Sequence, residues 1–71
     1  MRDFRLPKEY TTIFVDELTP NIVFVGYNKI GADVGLNNWI VQKIDNTTST
    51  LYTIITYAEG SWTNKEFLNY K

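Results

Sequence analysis

Short apolar runs alternate with polar turn clusters along this chain, and the period within the runs is two rather than 3.6. Tyr10-Thr11-Thr12-Ile13-Phe14-Val15-Asp16 is rich in β-branched and aromatic residues, the composition that fits a pleated strand. Its alternation predicts Ile13 and Val15 on one face and Thr12 and Phe14 on the other. Leu18-Thr19-Pro20-Asn21 predicts a turn, because Pro20 fixes φ and removes a donor. Ile22-Val23-Phe24-Val25-Gly26-Tyr27 is apolar on both faces and so close behind that the two runs predict an antiparallel hairpin. Residues 28–38 hold Gly31, Asp33, Gly35, Asn37 and Asn38, which is loop chemistry. Trp39-Ile40-Val41-Gln42-Lys43-Ile44 is the third predicted strand, residues 45–49 the next turn, and residues 51–57 the fourth strand.

Ala58-Glu59-Gly60-Ser61 predicts another turn before an ambiguous tail. Within the tail, Thr63-Asn64-Lys65-Glu66 has the form of a helix capping box. Too few residues follow for a helix that is stable without packing. The expectation is one turn, then a short edge strand with Leu68 and Tyr70 on the same face. Turn signals at close, regular spacing predict an all-β domain, a small antiparallel barrel or sandwich of about five strands. Residues 1–9 form a mixed-charge N-terminal arm ahead of a single domain at 10–71. Phe4 and Leu6 are its apolar positions.

Composition narrows the function. A chain of 71 residues buries a smaller fraction of its surface than a larger domain does. Small folds therefore lean on disulfides, a metal or association. Cysteine and histidine are both absent, so association is the staple expected, and no metal or cofactor is. The net charge of −1 and the dilution of Arg2, Arg5 and Lys8 by Asp3 and Glu9 argue against nucleic acid. No apolar run approaches the ~20 residues that span a bilayer, and the N-terminal stretch lacks the apolar core of a signal peptide. A cytoplasmic origin is expected. Asn46-Thr47-Thr48 matches a glycosylation sequon but reads as a turn.

Catalytic constellations are not found in the pattern. Ser49 and Ser61 have no histidine to activate them. Asp16 and Glu17 are adjacent, so an extended chain points them to opposite faces. Asp33, Asp45 and Glu59 fall in predicted loops, without the spaced ladder of a hard-cation site. Gly26 and Gly31 have phosphate-loop spacing, but Ala32-Asp33 stands where Lys-Ser/Thr is required. The expectation is a protein that is not an enzyme. Phe, Trp and Tyr make up 15% of the chain. Phe24, Trp39 and Ile54 are expected to supply the core. Tyr10, Tyr27, Tyr52 and Tyr70, with Phe4, Leu6 and Phe14, are the candidates for contact with other protein surfaces.

Four motifs in order resemble a family of short bacteriophage proteins. Val23-x-Val25-Gly26-Tyr27-x-x-x-Gly31 is similar to the family's Ile-Gly-x-Ala-x-x-Gly stretch, and Trp39-x-Val41-x-Lys43-Ile44 to its Trp-x-Ile-x-Lys-Ile. Tyr57-Ala58-Glu59-Gly60 resembles its aromatic-Ala-Asp-Gly turn. Trp62-Thr63-Asn64-Lys65-x-x-Leu68-x-Tyr70 resembles its Trp-Asp-Asn-Arg-x-x-Leu-x-Tyr tail. The likeness covers residues 23–70. It departs in lacking the Ala after Gly26 and in a shorter loop between Gly60 and Trp62. The resemblance implies a β-rich virion component from the head or tail, with other phage structural proteins and copies of itself as partners. It implies assembly in the host cytoplasm and carries no catalytic residues. The other reading is an SH3-like or OB-like module for peptide or nucleic acid, a phage-encoded inhibitor included.

Overall fold

The structure, a computed structural model, describes residues 7–47 and 53–71. The arm candidates Phe4 and Leu6, and Tyr52 with Leu51, lie outside the described residues. Four antiparallel strands form one open sheet in chain order: β1 (Thr11–Thr19), β2 (Ile22–Asn28), β3 (Trp39–Asp45) and β4 (Ile54–Gly60). The all-β class is as expected, but neither a barrel nor a sandwich closes among the described residues. The tail explains the difference. Ser61 caps a 3-10 helix (Trp62–Phe67) by accepting from the Asn64 N–H, two residues before Thr63, where the capping-box pattern predicts the cap. The chain then extends, and Lys71 and Tyr57 exchange both backbone hydrogen bonds at 3.0 and 3.3 Å. The tail meets the β4 edge at this one pair instead of adding a fifth strand.

β1 and β2 are joined by Pro20 and Asn21, with Thr19 opposite Ile22 and its Oγ1 accepting from the Asn21 N–H. The pairing slips between Thr12 and Phe14, leaving Ile13 as the extra residue of a β-bulge. This breaks the alternation read from the sequence. Ile13 packs towards the core, and Phe14, opposite Gly26, stacks on two tryptophans; Val15 is left 65% exposed on the other face. Gly60 belongs to β4 opposite Trp39, and Glu59 and Asp45 are strand residues, where turns and loops were predicted.

The main core cluster lies on one face of the sheet, while Val25 and Ile40 are buried on the other. In the cluster Phe24, Trp39 and Val41 are buried, and Ile13, Ile22, Ala32, Trp62, Leu68 and Tyr70 pack against them. Ile54, predicted for the core, is 39% exposed at the start of β4, beyond the reach of the tail residues that cover Phe24 and Val41. The loop at 29–38 closes over the same face. Asn28, almost fully buried, donates to the Asn38 side chain and accepts from the Lys29 N–H, and Trp39 Nε1 donates to the Asp33 carbonyl at 2.8 Å.

The helix can approach because β2 and β4 carry glycines beneath it. A Cβ on Gly26 would stand 2.7 Å from Trp62 Cε3, and one on Gly60 would stand 2.5 Å from Leu68 Cδ2. A rigid indole held on two sides cannot yield as a flexible side chain does. Gly26→Ala is therefore expected to lower stability by about 1–3 kcal/mol, the usual cost of overpacking. At this chain length each kcal/mol moves Tm by roughly 4–8 °C. Thermal unfolding followed by tryptophan emission measures it, and an unchanged Tm would show that the indole seat is not as tight as drawn.

Candidate interaction surface

Three aromatic rings organise the covered face. Phe14 lies stacked 5.6 Å from Trp39 and 5.5 Å from Trp62, and the two tryptophans are tilted at 6.1 Å. Such offset contacts add to area burial. Lys65 fastens the helix to β1. Its Nζ stands 3.1 Å from the Asp16 carboxylate and 4.7 Å over the Trp62 ring. Asp16 thus faces the helix while Glu17, opposite Val23, faces away, as adjacent strand residues must. Lys43 lies 4.0 Å from Asp45 and 5.6 Å over the Tyr70 ring, and Tyr70 in turn packs 5.9 Å from Phe24.

The motif residues meet here, and their roles are structural. Gly26, Trp39, Val41, Gly60, Trp62 and Leu68 build the helix seat; Lys43, Lys65, Asn64 and Tyr70 fasten it. Gly31 lies in the following turn with φ +87°, and Ile44 is on the other face, opposite Val23 and Ile55. Of the residues singled out for contact, Phe14 and Tyr70 are largely engaged within this core. Tyr10 donates to the Asn38 carbonyl at 2.8 Å and ties the start of β1 to that of β3. Tyr27 donates to Gln42 Oε1, and Gln42 Nε2 donates to the Tyr57 hydroxyl, a cross-strand row on the face away from the helix.

Side chains that alternation alone did not single out are the exposed apolar ones. Ile30 is 87% and Phe67 86% exposed, with Leu36 and Val34 also at the surface. They stand on the 29–38 loop and the helix, which Thr63 ties together by donating from its N–H and Oγ1 to the Val34 carbonyl. A loop full of turn residues hid Ile30, Val34 and Leu36, since the turn chemistry dominates the local pattern. No group of three or more metal-ligating carboxylates occurs among the described residues. No protein-family model, no curated protein and no solved structure matches the chain.

Two titratable groups feel the packing. Thr47, first through its hydroxyl and then its backbone N–H, holds the Asp45 carboxyl below its usual range, against a little desolvation and with help from Lys43. Burial pushes the Tyr70 phenol up to about 12. Its hydroxyl donates to the Lys65 carbonyl, a bond that needs the proton. A raised folded pKa means that this contribution to stability is complete below pH 10, the ordinary tyrosine value. It is lost as pH rises through the window between there and about 12. In an alkaline tyrosinate absorbance titration, Tyr70→Phe should remove the highest-pH component and flatten stability across that window. A profile indistinguishable from the parent would refute the assignment.

Proposed function

We propose that this chain is a non-catalytic structural protein of a bacteriophage particle, a minor capsid, decoration, head–tail or tail component that acts through protein–protein assembly. Its partners on this reading are other phage structural proteins and further copies of itself, brought together in the host cytoplasm. The observation that carries the reading is the pair of almost fully exposed apolar side chains, Ile30 and Phe67, on a loop and helix held together by Thr63. Large apolar groups kept in water on a small domain are a liability for a monomer and a resource at a subunit contact. The family resemblance in the four motifs supports the same class.

The motif residues are spent on seating the helix, so a shared motif would mean a shared fold before it meant a shared partner. The contact surface then belongs to residues outside the motifs, and Ile30 and Phe67 satisfy that condition. Mass spectrometry of purified particles from the phage encoding the chain tests the proposal. Recovery at a fixed ratio to the major coat protein is expected, and Ile30→Ser with Phe67→Ser should reduce that ratio at least several-fold while Trp39 and Trp62 emission stays native. Absence from particles would overturn the virion assignment. A salt-dependent mobility shift with DNA, in a chain absent from particles, would redirect it to an OB-like binding module.

A further inference from the structure

The two edges of the sheet are built differently. β1 is interrupted by two register shifts and carries Asp16 and Glu17, devices that discourage another strand from pairing there. β4 pairs with β3 in unbroken register from Ile54 to Gly60. Its first half, with the residue ahead of it, reads Thr53-Ile54-Ile55-Thr56: four β-branched side chains without charge, proline or glycine. Tyr57 and Lys71 exchange both backbone hydrogen bonds across the outer side of β4. Antiparallel geometry turns the N–H and C=O of every second residue the same way, so those of Ile55 point outward too, and the same alternation carried back reaches Thr53. Among the described residues no backbone group pairs with either on that side. Apolar rows also run to this edge and stop there in water. On one face the register aligns Val23, Ile44 and Ile55, and Ile55 is 50% exposed. On the other, Ile22, Asp45 and Ile54 align, and Ile54 is 39% exposed.

We propose that β4 is a self-association edge, through which two copies of this chain pair antiparallel about a two-fold axis at Ile54 and join their four-stranded sheets into one. The register follows from what is open. Lys71 occupies Tyr57 in each copy, which confines the pairing to Thr53 through Ile55. Ile55 then lies opposite Thr53 of the second copy and exchanges both backbone bonds with it, twice over by symmetry. Ile54 faces its own counterpart across the axis, and β-branched pairs of this kind stabilise a sheet. A second copy suits the edge's chemistry because neither side brings a charge to the contact. So short a contact is weak alone, and repetition in an array is what strengthens such contacts. It lies apart from the Ile30 and Phe67 surface, on a different element of the fold.

The chain contains no cysteine, so one introduced thiol reports one position. Residues opposite each other in a non-hydrogen-bonded antiparallel pair have Cα atoms about 4.5 Å apart, within disulfide reach. Ile54→Cys is therefore expected to form a disulfide-linked dimer under mild oxidation. Thr56→Cys faces the same side but would lie roughly 14 Å from its counterpart in this register, and should not link. In sedimentation velocity the parent chain should show a dimer that grows with concentration. Ile55→Lys, a charge at an exposed edge position, should raise the dissociation constant at least tenfold. Ile30→Ser with Phe67→Ser should leave it unchanged, and native Trp39 and Trp62 emission shows that each variant is folded. A parent that stays monomeric to millimolar concentration would overturn the proposal. So would a dimer that withstands Ile55→Lys, or one that links equally through Cys at either position. The dimer is a property of the isolated chain, so the virion assignment stands or falls on its own test.

Discussion

The seating of Trp62 over Gly26 is the contact on which the rest of this domain depends. A four-stranded sheet must bury one face against something, and among the described residues a six-residue 3-10 helix, a short tail and the 29–38 loop do it. So short a helix forms few hydrogen bonds and is marginal alone. It holds because its first residue is the largest side chain available, placed where β2 has no side chain at all. From that seat Trp62 meets Trp39 and Phe14, Lys65 reaches Asp16, and the extended tail drops Leu68 onto Gly60 and Tyr70 onto Phe24. Glycine at two strand positions costs β propensity. The closeness it permits is what makes a six-residue helix a sufficient lid.

The β-bulge at Ile13 serves the same contact. With regular alternation Phe14 would point away from the helix, and the third ring of the cluster would be lost. The slip between Thr12 and Phe14 brings Ile13 and Phe14 to the core together and turns Val15 out. Period-two reading of residues 10–16 therefore located the strand correctly and assigned its faces wrongly, because a bulge is a property of pairing and leaves no mark in one strand's own pattern. β2, β3 and the Pro20-Asn21 turn were legible for the opposite reason: their β-branched runs and turn residues agree with what pairing requires. Gly60 was misread as a turn residue since glycine signals a loop unless one knows that Leu68 will lie on it. Ile54 was misread as core because a β-branched residue in a strand predicts burial without saying how far the covering layer extends.

The motif residues were legible as a set, though their meaning was not. Trp39, Val41, Lys43, Trp62, Lys65, Leu68 and Tyr70 are separated by up to 31 positions (Trp39 to Tyr70) and share one face of the fold. Aromatic and basic residues at such spacing invite a binding interpretation. Their distances give another: both ammonium groups lie over rings and beside carboxylates of the same domain, 4.7 Å from Trp62 for Lys65 and 5.6 Å from Tyr70 for Lys43. Function has to be sought in what this arrangement leaves outside it, which is the apolar loop and helix surface on one side and the sheet face around the Tyr27–Gln42–Tyr57 row on the other.

Those two surfaces differ in a way that bears on how so small a chain stays folded. Among the described residues the helix, tail and loop cover one face of the sheet. A face in which Val25 and Ile40 are already nearly buried belongs to the domain's own stability. Ile30 and Phe67 are the reverse: almost wholly in water, on segments already fixed by Thr63, they contribute little to the isolated fold. On the proposed reading, another surface removes them from water. Association on that reading falls to the loop and helix surface, so that assembly need not dismantle the contacts that keep the subunit folded.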